Sequence, residues 1–176
     1  VIKPPSETPL TALALAALAH EAGFPPGVYN TITSSDSGEI GKELCENKKV
    51  RKLYFTGSTQ VGRILMAQSA ETLKKLSFEL AGKAPFIVFE DADIHNAVSA
   101  ALLANFYTQG EVCSNGTRVF VHRTIFDSFL TQLRERTEKI RVGEPADPDT
   151  QMGALISKEH LEKVMRFIEA GKAAGA

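Results

Sequence analysis

Val50 to Phe55 is a short apolar run that meets Gly57 and passes at once into a helical stretch, Gln60 to Ser69. A further strand, Leu73 to Phe78, follows closely. Two strands separated by a helix of this length do not close as a hairpin; they pair in parallel with the helix laid across them. The same rhythm runs along the chain. Val1 to Lys3 reads as the end of a buried strand. Thr8 caps a helix with Pro9 at its first position, and that helix stops at Gly23. Val28 to Thr33 is a strand after the Pro25-Pro26-Gly27 turn, and Asp36 with Glu39 three residues on starts a helix reaching Cys45 and Glu46. Pro85 to Glu90 is a strand, Asp93 to Phe106 a helix and Gly116 to His122 a strand. Thr124 to Lys139 is an amphipathic helix, and Ser157 caps a last one. Parallel strands of one sheet take right-handed crossovers. The chain is therefore α/β, with a partial doubly wound sheet, and divides near Ala81 to Lys83.

Composition narrows the function. Hydrophobic residues make up 43% and charged residues 23% of the 176, the balance of a globular chain with a core. A net charge of −1 without a basic stripe argues against a nucleic-acid partner. The apolar stretch Ala12 to Ala19 is far short of the roughly 20 residues that span a bilayer, so no membrane partner is expected. Two cysteines, Cys45 and Cys113, suit a reducing compartment, and a cytoplasmic location is expected. The four histidines never stand at ligand spacing from a cysteine, so no metal is expected. The apolar opening Val1-Ile2-Lys3 and the Gly171 to Ala176 ending read as cut edges, with an internal segment of a longer protein expected.

Four places carry possible chemistry. In Phe55-Thr56-Gly57-Ser58-Thr59-Gln60-Val61-Gly62 a strand turns into a helix whose free amides and dipole form an anion site. Gly57 allows close approach of a pyrophosphate, Ser58 offers a hydroxyl, and Gly62 lets the helix pack tightly; the plain alternative is a capped helix. Cys113 lies in the polar, glycine-flanked loop Tyr107 to Gly116, where a thiolate nucleophile fits as well as an incidental thiol does. Cys45, between Leu44 and Glu46 in a helix, is structural. Glu79 ends an apolar strand, where a partly dry cleft would raise its pKa toward that of a general base; the alternative is a solvent-facing strand end. Lys3, Ser6 and Glu7 follow the first strand, where open α/β sheets bind ligands; a lysine there meets a ribose hydroxyl or phosphate, or is a solvated charge.

Together these segments resemble the aldehyde dehydrogenase superfamily, in order along the whole chain. Val1 to Pro4 with Thr8-Pro9-Leu10 is similar to its adenosine-side loop, and Ala22 to Asn30 to the next helix-to-strand turn. Phe55 to Gly62 is similar to its phosphate segment, Glu79-Leu80-Ala81-Gly82-Lys83 to its glutamate motif and Gly110-Glu111-Val112-Cys113 to its cysteine motif. Glu79 and Cys113 stand 34 positions apart, the family's usual spacing.

The resemblance implies a Rossmann-like cofactor domain over residues 1–81, then the start of an α/β catalytic domain over residues 82–176. It implies NAD or NADP as cofactor, a small-molecule aldehyde as substrate and a homo-oligomeric full-length form. Cys113 would be the nucleophile and Glu79 the base that activates water. Gly57, Ser58 and Gly62 would face the pyrophosphate, Lys3 the adenosine ribose and the Leu80 backbone the nicotinamide. Three departures stand out. Ala81 replaces a customary glycine, Glu111 a customary glutamine, and Ser6 occupies the place of the ribose-binding glutamate, with Glu7 one later. The last admits NADP.

Cys113 to Val121 is similar to betaine and amino-aldehyde members, and Ala84 to Phe89 to semialdehyde members, so a small polar aliphatic aldehyde is expected. The family's oxyanion asparagine and its downstream cofactor and oligomerisation motifs have no counterpart among these residues. Because losing such a donor costs on the order of 100-fold in rate, the 176-residue chain is expected to be inactive alone. The competing readings are a non-catalytic nucleotide-binding or interaction module, and a cysteine acyl-transfer enzyme working without nicotinamide.

Overall fold

The computed structural model describes residues 1–176 and divides into two compact units, Val1–Ala81 and Gly82–Ala176. In the first, α1 (Leu10–Glu21), α2 (Ser37–Glu46), β1 (Lys52–Thr56), α3 (Thr59–Ser69) and β2 (Lys75–Glu79) follow in order. β1 and β2 pair in parallel, with Lys52 opposite Lys75 and Thr56 opposite Glu79. Phe55 and Phe78 face each other in that register and their rings meet edge to face, 6.2 Å between centroids. α2 packs on α3 through Cys45, which is fully buried with its thiol directed at the Leu65 carbonyl, 3.6 Å away. The structural reading of Cys45 holds.

In the second unit, β3 (Pro85–Val88) pairs in parallel with β4 (Arg118–Val121). Between them in sequence runs α4 (Ile94–Phe106), and α5 (Phe126–Thr137) and α6 (Lys158–Ala173) follow. The core is Val88, Val98, Ala101 and Phe129, where β3, α4 and α5 meet. Burying Val88, Val98 and Phe129 contributes about 1.5–3 kcal/mol each.

Every strand pairing is parallel, as the alternation of strand and helix requires, and the elements fall where the sequence places them apart from their ends. The first two expected strands, Val1 to Lys3 and Val28 to Thr33, shrink to one parallel bridge between Ile2 and Thr31. Ile2 donates to Asn30 and accepts from Ile32, and the pairing extends no further. Leu73 is not a strand residue: it takes a left-handed conformation (φ 49°) in a turn, and the ladder begins only where the Lys75 amide reaches the Arg51 carbonyl. Thr8 does not cap α1. Pro9 already has helical angles, and its carbonyl accepts the Leu13 amide, which leaves the threonine hydroxyl outside. β4 starts after Gly116, because the Thr117 amide closes a tight turn onto Asn115. The caps at Asp36, Asp93 and Ser157 each accept an amide three residues on. No helix is long and apolar enough to cross a membrane, and no cluster of three metal-ligating side chains exists.

Candidate active site

In the first unit, the parallel register brings the carboxyl ends of β1 and β2 level, so Glu79 stands opposite Thr56. The next amide, that of Gly57, donates to the Glu79 carbonyl at 3.0 Å. The strand-to-helix turn and the glutamate therefore share one end of the sheet, the end at which open α/β sheets bind ligands. Ser58 caps α3, its hydroxyl oxygen accepting from the Val61 amide at 3.2 Å. That bond occupies an acceptor site and leaves the hydroxyl proton free to donate outward. Gly57 and Ser58 are both exposed, whereas Gly62 is buried. A β-carbon at Gly62 would come within 2.8 Å of the Leu80 side chain, so Leu80 lies on α3 through the absence of that atom. Glu79 is exposed and not in a dry cleft. It is the last residue of a two-stranded sheet, whose end is open to water.

A second cluster in this unit forms around the start of α2. Lys3 Nζ donates to Ser37 Oγ at 2.5 Å. Ser6 Oγ donates to the Ser34 carbonyl at 2.9 Å and lies 3.3 Å from Ser37 Oγ. Lys3 and Ser6 are thus brought together through Ser37, and Glu7, exposed and without a partner, is not. Ser34 and Ser37 were not legible as site residues. Their only signal is the serine-rich approach to the Asp36 cap.

In the second unit, Cys113 is an exposed free thiol. Ahead of it, Thr108, Gln109 and Gly110 all take left-handed backbone angles, with φ of 52°, 55° and 76°. Three such residues in succession, two of them with a β-carbon, need neighbours that hold them. Two contacts do so. The Gln109 side-chain amide fits between the Thr108 carbonyl and the Gly153 amide, its oxygen accepting from Gly153 at 3.1 Å. Glu111 Oε1 lies 3.0 Å from His160 Nε2, on the first turn of α6. After the cysteine, Asn115 and Gly116 are buried, and a β-carbon on Gly116 would lie 2.7 Å from Phe86 Cβ in β3. Gly82, three residues after Glu79 in sequence, lies so close to the Cys113 carbonyl that a β-carbon would be 3.1 Å from it. His160 and Gly153 were invisible to sequence reasoning, being 47 and 40 positions from the cysteine.

The sequence model of the aldehyde dehydrogenase family matches residues 1–176, the entire chain. The chain belongs to that family.

Among relatives of this aldehyde dehydrogenase chain, a betaine aldehyde dehydrogenase of Vibrio vulnificus is 51% identical over all 176 residues, which cover 36% of that protein. A betaine aldehyde dehydrogenase of Brucella ovis is 49% identical with the same coverage. The crystal structure of a succinate-semialdehyde dehydrogenase from Burkholderia pseudomallei superposes with a TM-score of 0.95 and 44% identity, over 99% of this chain and 36% of that one. That of an NADP-dependent enzyme from Escherichia coli superposes at 0.94 and 44% identity, over 98% of this chain and 36% of the other. The chain spans about a third of the length of these proteins, and the α/β fold is that of the family.

Proposed function

We propose that this chain carries the nucleophile, the general base and part of the nicotinamide-cofactor site for oxidising a small polar aldehyde to its carboxylic acid. The observation that carries the reading is the Gly57 amide bonded to the Glu79 carbonyl, which joins an anion-binding turn to a carboxylate at one sheet end. Cys113 Sγ, as thiolate, adds to the aldehyde carbon to form a thiohemiacetal. The cofactor, when bound, supplies the hydride acceptor that oxidises this carbon to the thioester level. Glu79 then takes a proton from water, the hydroxide-like oxygen attacks the acyl carbon, and Cys113 leaves as thiolate with the acid released. A soft sulfur leaving group makes that acyl intermediate readily hydrolysed. The units Val1–Ala81 and Gly82–Ala176 would be, respectively, part of the cofactor domain and part of the cysteine domain.

The cofactor fits the first unit. Ser58, with its free hydroxyl proton, and the unpaired first amides of α3 suit a pyrophosphate. Lys3, Ser6 and Ser37 present a cation and two hydroxyls, which suit a ribose and tolerate a 2′-phosphate, so both NAD and NADP are included. For substrate, relatives named for betaine aldehyde and succinate semialdehyde both favour small polar aldehydes. A full-length homo-oligomer and a cytoplasmic location belong to the same reading.

The test is reduction of NAD or NADP by the full-length form, with betaine aldehyde and with succinic semialdehyde. Cys113→Ser is expected to abolish turnover, and Glu79→Gln to leave Cys113 acylated, detectable as added mass on its peptide. Turnover that survives Cys113→Ser would overturn the assignment. Binding of the cofactor with neither turnover nor acylation in the wild type would favour a nucleotide-binding module instead.

A further inference from the structure

The Glu111–His160 contact ties the residue two before the cysteine to the first turn of α6. The contact is unusual in its setting. Glu111 opens the turn out of three left-handed residues, its own amide bonded to the Thr108 carbonyl at 2.9 Å. His160 is held from the other side, because its amide is the one that Ser157 caps at 3.1 Å. Both partners are therefore fixed at the backbone, and the side chains bridge two anchored points. A free Glu111 carboxylate two residues from a thiol would disfavour the thiolate. Its engagement with the His160 imidazole at 3.0 Å fixes its position.

We propose that His160 is a positioning residue for the Cys113 thiol: it holds the Glu111 carboxylate on the α6 side. The inference rests on the reading of Cys113 as nucleophile for its importance, but not for its physics. The other charges near the pair are accounted for. On α6, Lys158 pairs with Glu162 at 4.0 Å. The Glu159 carboxyl is held below its ordinary pKa by its own backbone amide and then by the Ser157 hydroxyl. Lys163, three residues on from His160, is a further cation of α6. In the loop before α6, Asp147 and Asp149 both engage Arg141 at 3.1 and 2.9 Å. Facing His160 from the cysteine loop is Glu111.

The experiment is the rate of Cys113 alkylation by iodoacetamide across pH, read by peptide mass so that Cys45 is counted separately. His160→Ala releases the carboxylate, and alkylation at neutral pH is expected to slow by about threefold, with the midpoint of the profile moving to higher pH. His160→Gln, which keeps an N–H donor, should recover most of the rate. Glu111→Gln placed in the His160→Ala background should remove the shift. An unmoved midpoint in His160→Ala, or a shift that persists without the carboxylate, overturns the proposal.

Should His160→Ala disturb α6, Glu111→Gln alone supplies a second measurement. With its 3.0 Å acceptor gone, the His160 imidazole resonances followed by NMR should move. Resonances that stay in place overturn the contact. Alkylation reports the thiol whatever its role, so a failure here leaves the Cys113 assignment standing. Failure of that assignment in the turnover assay leaves this linkage standing.

Discussion

The Leu80 side chain lies against the one position of α3 that has none: a β-carbon on Gly62 would meet Leu80 Cδ2 at 2.8 Å and Cδ1 at 3.1 Å. Leu80 follows Glu79 directly, so the packing of that leucine fixes the direction in which the strand leaves the sheet. Gly62→Val is expected to lower stability by about 1–3 kcal/mol, from overpacking of a buried position. It should also weaken cofactor binding through movement of the strand end. Leu80→Ala makes room for the new side chain, so the two changes together should cost less than their sum. Urea denaturation of the four proteins of this cycle measures the coupling; strict additivity would show that the two residues do not touch.

The two cysteines should separate cleanly. Cys113 is exposed, whereas Cys45 has no accessible surface and packs between α2 and α3. In the native protein, iodoacetamide is expected to modify Cys113 alone, with Cys45 reacting only after denaturant is added. The rate at Cys45 should then track the unfolded fraction, because the thiol gains access only by opening. Early labelling of Cys45 in native buffer would contradict the packing of α2 on α3.

Much of this was legible in the sequence, for reasons that differ between elements. β1, α3 and β2 announce themselves because alternating leucine and aromatic residues, a turn glycine and a helical run follow one another without interruption, and local chemistry decides them. The Asp36 and Ser157 caps are legible for the same reason, since an acceptor and an amide three residues on are bound within one turn. Strand ends are not local. Leu73 has a strand former's side chain, yet it sits in a left-handed turn 92% exposed, because pairing with β1 begins two residues later. The candidate site divides in the same way. Gly57, Ser58, Glu79 and Cys113 stand in continuous motifs, whereas Ser37 meets Lys3, and His160 meets Glu111, only through the fold. Glu7 shows the converse: a carboxylate in a plausible place by sequence, with its neighbour Ser6 turned to Ser34 and Ser37 instead.

The turn after the cysteine offers a second test of close packing. A β-carbon on Gly116 would lie 2.7 Å from Phe86 Cβ, and that atom, next to the β3 backbone, cannot swing away as a leucine tip can. Gly116→Ala is therefore expected to cost about 1–3 kcal/mol and to lower the melting temperature. It should also displace the segment that follows Cys113, so native alkylation of the thiol should change rate. Phe86→Ala opens space at the cost of a partly buried aromatic and should not add to it in full. A Gly116→Ala protein as stable as the wild type would mean that β3 and this turn stand further apart.

On the proposed reading, cofactor choice is expected to turn on the cluster at the start of α2. Lys3 Nζ and the Ser6 hydroxyl each lie within hydrogen-bonding reach of the Ser37 hydroxyl, and the three include no carboxylate. A 2′-phosphate brought to that cluster meets one cation and two neutral donors, whereas a bare ribose hydroxyl gains little from the lysine charge. Ser6→Glu places an anion beside Lys3. It offers a ribose two acceptor oxygens and at the same time repels a phosphate, so attraction to NAD and rejection of NADP act in the same direction. The ratio of NADP to NAD affinity is expected to fall by about tenfold or more, roughly 1.4 kcal/mol in the difference of binding free energies. Titration of each dinucleotide by intrinsic or cofactor fluorescence measures the ratio directly. Lys3→Met should lower NADP binding more than NAD binding, and the two variants together separate repulsion from lost attraction. If Ser6→Glu left the ratio unchanged, the ribose end of the cofactor would lie elsewhere than at Lys3, Ser6 and Ser37.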